Sequence, residues 1–347
     1  MLLYASSLLY VLYYINFSTV ISNNTTETIN TNMYFLLEGV CSMMYVLHHI
    51  FTYGESAAFQ EILEMSTILS QKKYNELSKL IYAKDVIGFL LLLGHVSNCF
   101  THEIVLTLRN LCTLYTLMVN FLLDMFYIDL VYVVKACFKK LNKSLQELTF
   151  MSDANKSCNG VSNPLSPQVK FLLLTKLKIL EKKHLQISHV VEGMNNDFLI
   201  RNIIMTTSTF IIVTFNVYYQ LLYPYTPLSD NPAYHNTLWY SPYISAVFFY
   251  FVKFGMVIWT CELATNEAQK IKIIIHDVLG STTDAEAKYE AQLFSLQILH
   301  KNNMFTAKAI DMNAMLLSQV VGGITMYIMI LLQFLLNTAV CRKIEAS

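Results

Sequence analysis

Seven stretches of the chain are each long and apolar enough to cross a bilayer: 2–21, 33–53, 86–106, 112–137, 199–222, 240–260 and 313–336. This recurrence leaves few folds open. A hydrocarbon core about 30 Å thick takes about 20 residues of helix, and a helix meets every backbone hydrogen bond within itself where no water reaches. The expectation is an all-α membrane protein of seven transmembrane helices. The first stretch has neither the basic start nor the small-residue end of a secretory signal, so it counts as a span.

Composition agrees and excludes other classes. With 54% hydrophobic and 14% charged residues, the chain carries more apolar surface than a soluble domain buries. A formal net charge of zero gives no basic field for nucleic acid. The cysteines (Cys41, Cys99, Cys112, Cys137, Cys158, Cys261, Cys341) contain no C-x-x-C, so neither zinc nor a redox pair is indicated. They read as small apolar fillers, with Cys99 and Cys112 the one pair placed for bridging, near the outer ends of consecutive spans.

Lysines fix an orientation. The connection after span two holds Lys72, Lys73, Lys79 and Lys84; the one after span four holds Lys139, Lys140, Lys143, Lys156, Lys170, Lys176, Lys178, Lys182 and Lys183; the one after span six holds Lys270, Lys272, Lys288, Lys301 and Lys308. Residues 22–32 and 223–239 have no Lys or Arg, and 107–111 has only Arg109. The positive-inside bias places the N-terminus in the cytosol and the C-terminus outside, against Arg342 and Lys343. This is the reverse of a G-protein-coupled receptor. The sequons at Asn23 and Asn24 then face outward as glycosylation acceptors, whereas those at Asn142 and Asn155 lie inside and stay unused.

The cytosolic connections have structure of their own. Residues 1–137 carry spans one to four, with a cytoplasmic loop at 54–85. Over 138–198 the fourth helix runs on, with Leu141, Leu145 and Leu148 at i, i+4 and i+7. A turn-rich linker follows at 152–168, then helix again over 169–198. Spans five and six occupy 199–260, and 261–312 is a cytoplasmic loop holding an amphipathic helix, Ala285 to His300, with Tyr289, Leu293, Leu296 and Leu299 as its apolar stripe. The last span, 313–336, is followed by a short outer tail, 337–347.

No nucleophile motif, phosphate loop, metal spacing or paired-carboxylate site is present, and the adjacent His48 and His49 point to different helix faces. Neither an enzyme nor a cofactor is expected. Polar groups inside the membrane are the better leads, since each is costly unless it faces protein or water. They are Glu38, His95, Asn98, Asn120, Asp124, Asp129 and Lys253. Asn120, Asp124 and Tyr127 share one helix face, which suits either a polar ligand pocket or hydrogen bonds to neighbouring helices. Asp124 and Lys253 equally suit a buried ion pair. His95 is a further pocket candidate, and Trp239, Tyr240 and Tyr243 suit a pocket rim or an interfacial aromatic belt. In the last span Gln319, Gly322, Gly323, Met326, Met329, Ile330 and Gln333 form a small, partly polar stripe that either packs a helix closely or lines water.

The end of that span resembles insect gustatory receptors, which share a fold with insect odorant receptors. Those receptors close the seventh helix with Thr-Tyr, five apolar residues and Gln-Phe; here Tyr327, Ile328 to Leu332, Gln333 and Phe334 match, with Met326 at the Thr position. Phe294 to His300 and Phe305-Thr306-Ala307 resemble the segment before that helix, although Lys308-Ala309-Ile310 replaces the usual Gly and aromatic. The likeness is poor in spans one to four, and Met1 starts almost directly in span one, where the family has a cytosolic stretch first.

The resemblance implies a ligand-gated, non-selective cation channel for taste in the plasma membrane of sensory neurons. It implies a homo- or heterotetramer in membrane lipid, with the seventh helix lining the pore and Gln333, Phe334, Ile330 and Met326 at the gate. A small-molecule tastant would bind among the outer halves of spans two to six. Two rivals remain. A rhodopsin-type receptor lacks its Asp-Arg-Tyr and Asn-Pro-x-x-Tyr here, and a secondary transporter lacks its repeats and Gly/Pro-broken helices.

Overall fold

The computed structural model describes residues 35–40, 71–99, 107–159, 167–222 and 241–345 apart from 283 and 309, with isolated positions 9, 10, 13 and 43. The first span, most of the second and the sequons Asn23 and Asn24 lie outside the described residues. Within them, a π-helical turn at Phe35–Val40 precedes seven α-helices: α1 (Gln71–Cys99), α2 (Thr107–Asn159), α3 (Pro167–Asp197), α4 (Leu199–Leu222), α5 (Ser241–Ser281), α6 (Ala285–His300) and α7 (Ala314–Glu345). Strands β1 (Thr306–Ala307) and β2 (Ile310–Asp311) pair antiparallel just before α7.

Four of these helices contain windows long and apolar enough to cross a membrane, in α2, α4, α5 and α7. The axis of the fold is the α2–α5 pair, and α5 also packs on α1, α4, α6 and α7. Small residues let the two central helices approach closely, since Cys261, Ala264 and Ala268 on α5 are all buried. Opposite them, Ile128, Val131, Val134 and Phe138 of α2 are buried to the same degree.

Both central helices continue far beyond their membrane windows. Leu141, Leu145 and Leu148 are buried, and fully burying a leucine contributes about 1.5–3 kcal/mol, which favours helix over loop in this segment. The turn-rich linker expected from 152 is helical as far as Asn159. The loop expected from 261 is the second half of α5, where Ile271, Ile274, Ile275 and Val278 form a buried i, i+3, i+4, i+7 stripe against the helical bundle.

Helix α6 begins at the Asp284 N-cap, whose carboxylate accepts from Ala287 N over 3.1 Å, and ends at His300. Its inward face is Ala287, Ala291, Phe294 and Ile298. The stripe expected to be its packing face points outward instead: Leu296 is 62% and Leu299 74% exposed, with Tyr289 also exposed. A helix with apolar residues on two faces has no single periodic answer, and α3 and α5 cover the face carrying Phe294.

Candidate functional site

Four polar side chains meet inside the membrane bundle. Asp124 and Asn120 project from α2, Arg201 from α4 and Lys253 from α5, each no more than 3% exposed. Arg201 donates from Nε and Nη2 to Asp124 Oδ1 at 3.0 and 2.6 Å, from Nη1 to Asn120 Oδ1 at 2.8 Å, and from Nη2 to the Asn120 carbonyl at 3.0 Å. Lys253 Nζ stands 2.9 Å from Asp124 Oδ2. Its line of approach does not align a hydrogen bond to that oxygen, so it acts as a charge neighbour, and it also lies 4.9 Å from the Tyr250 ring centroid. Asn120 Nδ2 donates 3.3 Å to the carbonyl of Glu38, itself buried, which ties the second span to the cluster.

The ion pair expected between Asp124 and Lys253 is therefore present with a second cation that the sequence reading did not single out. Arg201 is the third residue of α4, and an arginine so near a helix end ordinarily snorkels to the interface. Here α2 and α5 enclose it instead. Asn120 and Asp124 are spent on protein partners, and Tyr127, on the same face, makes a separate buried contact, its hydroxyl 3.5 Å from Cys261 Sγ. His95 sits on the α1–α5 seam, stacked 4.9 Å from Phe249 with Nδ1 3.2 Å from Ser245 Oγ. Trp239 lies outside the described residues, as do the side chains of Asn98 and Tyr243. So does the side chain of Cys99, while Cys112 is buried.

Along α7 the expected stripe divides by function. A Cβ on Gly323 would come 2.9 Å from Phe210 Cε2 of α4, so this glycine serves close helix packing. Tyr327 meets the same ring edge-on at 5.5 Å. Gly322 has nothing within 4 Å of its Cβ direction. Gln319, Met326, Met329, Gln333 and Phe334 are exposed, Ile330 is half-buried, and Leu316, Val320 and Ile324 face the subunit.

The base of α7 is held by the helical extensions of the bundle. Glu262 of α5 accepts from Ala314 N over 3.1 Å, an acidic group at a helix N-terminus. Asn195 of α3 clamps the linker, donating to Met304 O at 2.8 Å and accepting from Thr306 N at 3.1 Å. His184 of α3 is buried between Phe138 and Phe294, with Gln297 Nε2 3.1 Å from Nδ1 and the Asn303 amide 3.1 Å from Nε2. Gln297 Nε2 also donates to Glu181 O at 3.1 Å, so it is the amine end that faces Nδ1. With Nδ1 accepting from Gln297, the neutral ring carries its proton on Nε2, 3.1 Å from Asn303 Nδ2. Desolvation of this buried ring lowers its pKa from 6.5 to about 4.

A mostly helical bundle with a buried charge cluster, an unburied terminal span and a hydrogen-bonded joint at its base is the architecture of a multi-pass membrane protein. The sequence pattern described as 7tm Chemosensory receptor matches residues 1–338, and the chain belongs to that family. Among curated proteins, Putative gustatory receptor 28b of Drosophila melanogaster is 24% identical over 220 residues, 60% of this chain. The match takes in 46% of that relative, so the chain spans about half its length. Among solved structures, the insect olfactory receptor OR5 of Machilis hrabei superposes with a TM-score of 0.61 at 10% identity, over 96% of this chain and 88% of that one. The same receptor in complex with eugenol gives 0.55 with the same coverage. At such identity the likeness is one of fold.

Proposed function

We propose that the chain is a taste receptor that is itself a ligand-gated cation channel, four copies surrounding a pore lined by α7. One observation carries this reading. Only 17% of the apolar window of α7 is buried within the subunit, against 50–56% for the windows of α2, α4 and α5. A single-chain receptor would bury its last span as deeply as the others. The exposed face carries Ser318, Gln319, Gly322, Thr325 and Gln333 among Val321, Met326, Tyr327, Met329 and Phe334, more polar and small groups than lipid contact calls for. Outward-facing Leu293, Leu296 and Leu299 on α6 give the cytosolic bundle a second unburied apolar surface, suited to joining subunits.

The ligand is a small molecule bound among the outer halves of the helices, with His95, Phe249 and Tyr250 as the wall best placed to meet it. The Asp124–Arg201–Lys253 cluster fastens the helices beneath and would carry ligand-induced shifts of α5 to Glu262 and the base of α7. Binding favours an open arrangement already in the ensemble. The N-terminus is cytosolic, by the lysine distribution. Patch-clamp recording in cells without coupled G proteins tests the activity: tastant-evoked cation current is expected, and current that requires a G protein would overturn the reading. Surface labelling tests the topology, since a tag at Met1 should be reached only after permeabilisation.

A further inference from the structure

We propose that a groove between α1 and α2 holds a phospholipid with a primary-amine headgroup, its ammonium on Asp85 and Asp129 and an acyl chain along Phe89, Leu90, Phe121 and Leu122. The groove encloses about 520 Å³ and is open along one side, where Leu90 and Leu122 are each 61% exposed. Its floor is shaped by Gly88, where an added Cβ would come 2.9 Å from Phe121 Cζ. This glycine lets the Phe121 ring lie against the α1 backbone.

The polar end lies where α1 changes character. Lys72, Lys73, Glu76, Lys79, Lys84 and Asp85 precede the apolar run that starts at Val86, and Lys84 brings Asp129 of α2 to the same polar end of the groove. Lys84 Nζ is 2.7 Å from Asp85 Oδ1, 2.7 Å from Asp129 Oδ1 and 3.2 Å from Met125 O. A single ammonium balances only one of two carboxylates, and neither Asp85 Oδ1 nor Asp129 Oδ1 takes an aligned hydrogen bond from it. With both carboxylates ionised the cluster keeps one net negative charge, and no hydrogen bond to the second oxygen of either is found among the described residues.

That remainder selects the occupant. A primary ammonium supplies both the missing positive charge and N–H donors for the two free oxygens. A quaternary choline supplies the charge without donors, and an anionic headgroup is repelled. Phosphatidylethanolamine meets both requirements from within the leaflet onto which the groove opens.

The test uses the full-length protein in nanodiscs that mix phosphatidylethanolamine with its mono-, di- and trimethylated forms, followed by quantification of the lipid retained on delipidation. Retention is expected to fall stepwise with methylation, by about tenfold from the primary amine to the choline form. It should become indifferent to methylation in Asp85→Asn and in Asp129→Asn. Asp85 is 46% exposed and its substitution leaves the core untouched, so this arm remains informative if Asp129→Asn fails to fold. Equal retention across the methylation series, a preference that survives both substitutions, preference for an anionic lipid, or no retained lipid would each overturn the proposal.

Discussion

Arg201 holds Asp124 through a single carboxylate oxygen, with Nε at 3.0 Å and Nη2 at 2.6 Å from Oδ1, and so joins α4 to α2 inside the membrane. The other oxygen faces Lys253, which gives Asp124 two cations. Removing the carboxylate leaves both unbalanced, whereas removing Lys253 leaves the Arg201 pair whole. Asp124→Asn is therefore expected to cost about 3–5 kcal/mol and most surface expression. Lys253→Met, whose ammonium makes no aligned hydrogen bond to Asp124, should be tolerated far better. Thermal stability in detergent compares the two, and equal loss would show that Lys253 is as essential to the tie as Arg201.

The α7–α4 contact yields a pair of glycine substitutions with different outcomes. Gly323→Ala drives a methyl group into the Phe210 ring and disturbs its edge-on contact with Tyr327, at a cost of about 1 kcal/mol. Gly322→Ala meets open space and should fold normally. Phe210→Leu should restore part of the Gly323→Ala loss. Melting temperatures of the three variants and the double variant check this.

How much of this was legible beforehand differs from residue to residue. The bounds of α4 follow from apolar length and those of α6 from its amphipathic pattern, and the buried leucines after α2 follow from periodicity. Arg201 was passed over because sequence position alone cannot tell an arginine that snorkels from one enclosed by neighbouring helices. The second half of α5 reads as loop in the sequence because Glu262, Glu267, Lys270 and Lys272 interrupt its apolar run, although Ile271, Ile274, Ile275 and Val278 carry the helical signal. The face of α6 could not be chosen, since packing decides between two apolar stripes.

His184 gives a pH dependence. Its folded pKa of about 4 lies below the ordinary 6.5, so the unfolded chain takes up the proton first as pH falls. The stability tied to the neutral ring is complete above pH 6.5, declines as pH drops through the interval to about 4, and is gone below it. Purified protein should lose melting temperature across that window, and His184→Gln should flatten the slope. An unchanged slope in the variant would show that other groups dominate.

Lys308 adopts φ 56° in the β1–β2 turn, a left-handed conformation that costs an L-residue about 1–2 kcal/mol. The family's usual glycine near this turn is missing here. Lys308→Gly is expected to stabilise the hairpin by less than about 1 kcal/mol, because glycine loses more chain entropy on folding. Urea or thermal unfolding of the purified protein reads the difference.

The central claim is that the exposed face of α7 lines a cation pore, and Gln333 tests it most directly because its side chain is exposed beside Phe334 in the C-terminal half of the helix. In a fourfold ring a charge at this position acts on every permeating ion. Single-channel recording of Gln333→Lys and Gln333→Glu is expected to show opposite shifts, a sharp fall in unitary cation conductance for lysine and a maintained or raised conductance for glutamate. If both variants reach the surface and open with the conductance and selectivity of the parent, α7 does not line the conduction path.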